Sequence, residues 1–194
     1  MIRIAVVGEI GSGKTYVAKC FRYPMFNADE DVKKIYHNNN SCFNKLKKKF
    51  PKYINKSSTI KSDLKKILNK KNLNVISKIV HPYVRINLKK FIKKNRKKKF
   101  VMLDIPLLIE NKLYNKSDIL IYVKTSQKNI IQRLKNRGGY NKKVLNILKS
   151  QQLSKNKKKI LCDFTIENNS SLNNVVKQIK KIKKIINDRS SSRY

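Results

Sequence analysis

Gly8, Gly11 and Gly13 are three of the chain's five glycines, and they fall within six residues. Together with Lys14 and Thr15 they form Gly8-Glu9-Ile10-Gly11-Ser12-Gly13-Lys14-Thr15, which fits G-x-x-x-x-G-K-[ST] at every fixed position. Glycine lets the backbone curl until successive N–H groups point inward at phosphate oxygens. A helix that starts there adds the positive end of its dipole. Lys14 can reach β- and γ-phosphates, and the Thr15 hydroxyl can ligate Mg²⁺. The motif predicts binding of a nucleoside triphosphate such as ATP. It does not name the acceptor.

Acids are scarce, 11 Asp+Glu against 48 Lys+Arg, so their positions are informative. Asp29 is expected to close a second strand at Asn27-Ala28-Asp29, and Asp104 to close a third that runs over Phe100–Leu103. Open parallel sheets bind ligands beyond the carboxyl ends of their strands, where the glycine loop also emerges. Phosphoryl transfer needs a group to accept the proton of the attacking hydroxyl, and acids that hold Mg²⁺. Asp29 suits the first task, and Asp104 the second beside Thr15. Each also has a structural reading, Asp29 as the N-cap of the next helix and Asp104 as a turn residue before Pro106. Gly138-Gly139 follows Arg133 and Arg137 between two expected helices. A glycine hinge flanked by arginines suits a lid that carries a guanidinium to the transferring group. The alternative is a helix C-terminus with Gly at C′.

The elements that must hold these residues alternate. Ile2–Val7 reads as a strand and Thr15–Phe21 as a helix, with strands over Asp118–Val123 and Asp163–Glu167 and helices over Ile130–Arg137 and Val144–Leu153. Between Lys33 and Lys99 apolar residues recur at helical spacing, as in Leu64, Ile67, Leu68 and Val75, Ile76, Ile79, Val80. The run Lys89–Lys99 reads as a solvated helix end. Leu172–Ile186 has one apolar face opposite lysines, and the stretch beyond it reads as frayed. The pattern predicts an α/β fold, a parallel sheet with helices on both faces.

Composition bounds the setting. With 194 residues, 40% of them hydrophobic, the chain can build a sizeable core, and no run of 18 apolar residues suggests a membrane span. The start MIRIAVVG lacks the features of a signal peptide, which predicts a cytoplasmic protein. Cys20, Cys42 and Cys162 show no C-x-x-C spacing, so neither a disulfide framework nor a zinc site is expected. The net charge of +37 raises nucleic acid as a partner. The lysines are spread along the chain with asparagine and isoleucine, as a compositional bias would give. Weak, non-specific RNA binding at low salt is the expected extent of that affinity.

Taken together, these residues resemble the dephospho-CoA kinases. The likeness rests on the P-loop GEIGSGKT, the Asn-Ala-Asp at 27–29, His81-Pro82, DIPLLIEN at 104–111 with Leu113-Tyr114, Arg133 with Arg137, Ser150-Gln151 and CDFTIEN at 162–168. It covers the chain to about residue 186, and the P-loop is its least specific part. The resemblance implies a P-loop kinase fold with a five-stranded parallel sheet, a helical CoA-binding insert and a lid. On that pattern residues 1–32, 100–135 and 156–186 form the nucleotide-binding core, 33–99 the insert, 136–155 the lid and 187–194 a frayed tail. It implies transfer of the γ-phosphate of ATP to the ribose 3′-hydroxyl of dephospho-CoA, with Mg²⁺ at the phosphates; a monomer is expected, though the sequence itself does not give the oligomeric state. Asp29 matches the family's catalytic aspartate, and Gly11, Ser12, Gly13, Lys14, Thr15 and Tyr16 its ATP-binding segment. Arg137 resembles a lid arginine. His81 and the Leu107–Glu110 stretch resemble parts of the acceptor site, and the strand that ends at Asn168 lies where the family holds adenine. Read from the residues alone, His81 is more at home as a packed or hydrogen-bonded ring than as a catalyst. This chain departs from the family at Glu9, where Gly is usual and a carboxylate must point away from phosphates. It departs again at Tyr16, a small residue elsewhere, and at Lys61, about where Arg is expected. Rival readings are another P-loop small-molecule kinase, an RNA-stimulated ATPase, and a binder that has lost activity.

Overall fold

The computed structural model describes residues 1–136, 141–169 and 171–191. Five strands, β1 (Ile2–Gly8), β2 (Met25–Asn27), β3 (Phe100–Asp104), β4 (Ile119–Lys124) and β5 (Phe164–Glu167), form one sheet in the order β2-β3-β1-β4-β5. Every pairing in it is parallel. β1 is central because it can be buried on both faces. Ile4 and Val6 turn to one side, where they meet Val17 and Ala18 of α1 (Lys14–Cys20) and Ile179 and Ile186 of α9 (Leu172–Ser191). Ala5 and Val7 turn to the other. There they join Ile35 of α2 (Ala28–Asn38), Leu46 of α3 (Asn40–Lys49), Leu64 of α4 (Ile60–Lys66) and Val84 of α5 (Lys70–Lys94). Each such Val, Leu or Ile side chain contributes about 1.5–3 kcal/mol when fully buried, so the strand that feeds the glycine loop is anchored from both sides. α6 (Gln127–Asn136), α7 (Lys142–Lys149) and α8 (Lys155–Ile160) complete the elements of the described residues.

Several boundaries differ from the sequence reading. β2 stops at Asn27, so Ala28 and Asp29 open α2 and do not close the strand. Asn27 is extended, and its side chain accepts the N–H of Glu30 at 2.8 Å; this cap lies two residues before Asp29 and starts the helix at Ala28. The residue 32/33 boundary of the insert therefore cuts through α2, and the 155/156 boundary of the lid cuts through α8. The helices of residues 33–99 also share one hydrophobic cluster with the sheet. α9 carries on to Ser191, so positions 187–191 are helical where fraying was expected. Ile182 and Ile186 pack on the sheet and hold its last turns. α7 ends at Lys149, and α8, capped by the Ser154 hydroxyl, was not anticipated. No helix among the described residues is long and apolar enough to cross a membrane.

Candidate active site

β1 leads into the glycine loop at the carboxyl edge of the sheet, beside β3 and β4. Gly11 and Gly13 hold φ values of 84° and 87°, which side-chain-bearing residues rarely adopt. A Cβ at Gly13 would also run into Asn168 Nδ2. The loop is braced from outside. The Ser12 carbonyl accepts from Thr125 Oγ1 at 2.9 Å, Asn168 Nδ2 at 2.8 Å and Arg133 Nη1 at 3.1 Å. Arg133 Nη2 donates in turn to the Asn168 carbonyl at 2.8 Å. These bonds fix the loop's curvature through its outer carbonyl. Among the described residues the buried Ser12 hydroxyl has no hydrogen-bond partner, and α1 begins with no side-chain cap. A phosphate would supply the missing acceptor.

Lys14 Nζ donates to the carbonyls of Gly8 at 3.2 Å and Glu9 at 2.9 Å, so the ammonium is folded back on its own loop. Part of the side chain still reaches solvent, but the ammonium is enclosed, and enclosure governs its titration. Burial pushes its pKa down to about 8; the charges of Asp104, Asp29 and Glu110 resist, and that of Lys158 adds to the fall. Asp104 Oδ2 accepts from the Thr15 hydroxyl at 2.5 Å and from Asn27 Nδ2 at 2.7 Å. The pairing of Asn27 with Asp104 across β2 and β3 makes the second contact possible. Burial raises the Asp104 carboxyl above its ordinary range, against the pull of Thr15 and Lys14. As the last residue of β3, with its carboxylate bound by Thr15 and Asn27, Asp104 is not the turn residue of the alternative reading. Asp29 is not a cap either, because Asn27 fills that role. It stands exposed on the first turn of α2 and lines a cavity of about 520 Å³ with Thr15, Asn27, Tyr36 and Lys61. Its charge acts on both Lys14 and Asp104. Glu9 points away from the loop interior, where its carboxylate accepts from Gln127 Nε2 at 3.3 Å. Tyr16 is 42% exposed.

His81 and Leu107 meet in a second cavity, of about 430 Å³, with Lys78, Arg85 and Gln151. Lys78, His81 and Arg85 share one face of α5, and Pro82 has no N–H to give to the carbonyl of residue 78. Burial, and then Arg85, lower the His81 pKa, which keeps the ring neutral near pH 7. The residues that the resemblance groups as one acceptor site are thus divided, Asp29 in one cavity and His81 with Leu107 in another. Glu110 lines neither; its side chain faces Lys158 and the backbone of Leu153. Arg137, Gly138 and Gly139 lie outside the described residues. Sequence reasoning gave no role to Asn27 or Lys158. Asn27 had a signal, a cap residue three before Glu30. Lys158 had none, being one of four lysines in Lys155–Lys159.

The donor set suits Mg²⁺. Thr15 and Asp104 offer hard oxygens next to the loop, and Mg²⁺ is commonly held by one or two protein oxygens with phosphate oxygens and water. Among the described residues no group of three or more His, Cys, Asp or Glu forms a metal cage.

A family model described as dephospho-CoA kinase matches residues 2–174. The chain is 32% identical over 186 residues to the dephospho-CoA kinase of Wolbachia pipientis wMel, covering 92% of this chain and 95% of that protein. It is 32% identical over 198 residues to the dephospho-CoA kinase of Ehrlichia chaffeensis strain Arkansas, covering 98% of each. Among solved structures it matches TT1252 from Thermus thermophilus with a TM-score of 0.76 at 23% identity, over 96% of this chain and 97% of that one. At such identity the likeness speaks for the fold.

Proposed function

The chain belongs to the dephospho-CoA kinase family, and we propose that Lys14, Thr15, Asp29 and Asp104 carry that family's reaction here. The reaction is phosphorylation of dephospho-CoA by ATP, the final step of coenzyme A synthesis. Lys14 leaves the carbonyls of Gly8 and Glu9 and binds the β- and γ-phosphates, whose charge restores the protonation that burial has weakened. Asp29 accepts the proton of the ribose 3′-hydroxyl as that oxygen attacks the γ-phosphorus and ADP leaves. Thr15 and Asp104 would hold Mg²⁺, which supplies positive charge against the phosphate oxygens. The cavity of His81, Lys78 and Arg85 receives the remainder of the acceptor, two of its cations facing the acceptor's diphosphate. The enzyme works as a cytoplasmic monomer, a setting in which its free Cys20, Cys42 and Cys162 stay reduced.

One observation carries this reading. At the end of the glycine loop Thr15 donates to Asp104 at 2.5 Å, and the same Thr15 lines the cavity into which α2 brings Asp29, so two carboxylates from different elements stand beside the phosphate-binding loop. The test is an acceptor panel with ATP and Mg²⁺, read by mass spectrometry. Dephospho-CoA should become CoA in step with ADP release. Turnover of shikimate or a nucleoside, with dephospho-CoA left unchanged, would refute the assignment.

A further inference from the structure

Glu110 binds two parts of the chain through one oxygen. Its Oε1 lies 2.9 Å from Lys158 Nζ and accepts the N–H of Leu153 at 3.0 Å. Lys158 is 1% exposed at its side chain and Glu110 10%, so this is a buried ion pair. The two groups lie at ion-pair distance, yet among the described residues Lys158 Nζ makes no aligned hydrogen bond. Charge, not directional bonding, holds it against Glu110.

The position of the pair matters more than its strength. Leu153 precedes Ser154, the cap of α8, and Lys158 lies one turn into that helix. Glu110 comes from the segment after β3 that also holds Leu107. It therefore ties the Leu107 wall of the His81 cavity to the root of α8. Gln151, two residues before Leu153, lines the same cavity. Among the described residues no other hydrogen bond ties the stretch that carries Gln151 to the rest of the fold. α7, just before it, fully buries none of its residues. The backbone bonds at Ser150, Gln151 and Gln152 run to Asn146, Leu148 and Lys149, all within the same stretch.

We propose that the Lys158–Glu110 pair is a positioning element that sets Gln151 against the acceptor. Gln151 is then a contact to dephospho-CoA, and Lys158 acts through it without touching either substrate. This rests on the reading that the His81 cavity receives the acceptor.

Steady-state kinetics with both substrates test it on Lys158→Met, Gln151→Ala and the double variant. Lys158→Met should raise KM for dephospho-CoA about ten-fold, the worth of one lost hydrogen bond to a charged ligand, well beyond any change in KM for ATP, which the charge of Lys158 reaches only through Lys14. Gln151→Ala should do the same, and the double variant should be no worse than the worse single, because both changes remove one contact. Lys158→Arg, which keeps the charge, should recover part of the loss. Additive effects, or an unchanged acceptor KM in Gln151→Ala, would overturn the proposal. So would a Lys158→Met protein that melts earlier with both KM values intact, since the pair would then be purely structural. Gln151→Ala alters no buried charge and decides the matter if Lys158→Met does not fold. Wild-type protein that fails to phosphorylate dephospho-CoA would strike the acceptor reading instead, and that result appears before any variant is made.

Discussion

At the amino end of the sheet Arg3 and Asp118 are buried against each other, while at the carboxyl end Lys14 and Asp104 share one site without pairing. Arg3 forks onto both oxygens of Asp118, through Nε at 2.7 Å and through Nη2. Asp118 Oδ2 also accepts the Asn115 N–H at 2.9 Å. Both charges there are spent on each other. At the other end Lys14 donates to backbone carbonyls and Asp104 accepts from neutral donors, and among the described residues neither enters an ion pair. Those bonds are the kind a phosphate or a cation can replace. The difference shows what a site requires. Charges that neutralise each other stabilise the fold, whereas charges kept apart remain available to a ligand, and burial shifts both of them toward neutrality meanwhile.

The largest effect should come from Asp29→Asn. The variant should fold and bind ATP while kcat falls about 10²–10⁴-fold, the usual worth of a general base. An unchanged kcat in a quenched-flow or coupled assay would remove Asp29 from the chemistry. Next come two matched variants, one from each end. Asp118→Ala leaves Arg3 unpaired and should cost about 3–5 kcal/mol in denaturant unfolding, with kcat per folded molecule unaltered. Asp104→Asn should do the reverse, lowering kcat about 10²-fold without lowering Tm. If both variants harmed stability alone, the contrast between the two ends would collapse.

A smaller effect is expected from pH. Lys14 loses its proton as pH rises through about 8 in the free enzyme. The kcat/KM for ATP should therefore fall with rising pH from about 8 onward, and Asp118→Ala should leave that profile in place. The same shift makes the folded state relatively more stable with rising pH between about 8 and 10.5, because the unfolded chain then holds the extra proton. The smallest effect belongs to the exposed pair Lys124–Glu167. Glu167→Ala should leave both Tm and kcat within error, since solvent screens such a pair.

The sequence made the glycine loop and the strand alternation legible, because both depend on residue type over a few neighbours. Gly11 and Gly13 announce positive φ, and the unbroken apolar run Ile4, Ala5, Val6 and Val7 announces a strand covered on both faces. Asp29 was found as a scarce acid at an expected strand end and misplaced by two residues, because β2 stops at Asn27, which also takes the cap role considered for Asp29. Lys158 was not legible at all, since nothing local separates it from the lysines on either side.

Sequence alone thus determined the phosphate loop, the parallel sheet and the residue types that can move a phosphoryl group. These follow from backbone freedom and hydrophobic period, which act between near neighbours. Only the folded chain decided that Asn27 and Thr15 both hold Asp104, that Asp29 and His81 line different cavities, and that one lysine among many is buried against Glu110. Such facts depend on which distant residues the strand order brings together, and on burial, which turns an ordinary charge into a tuned one.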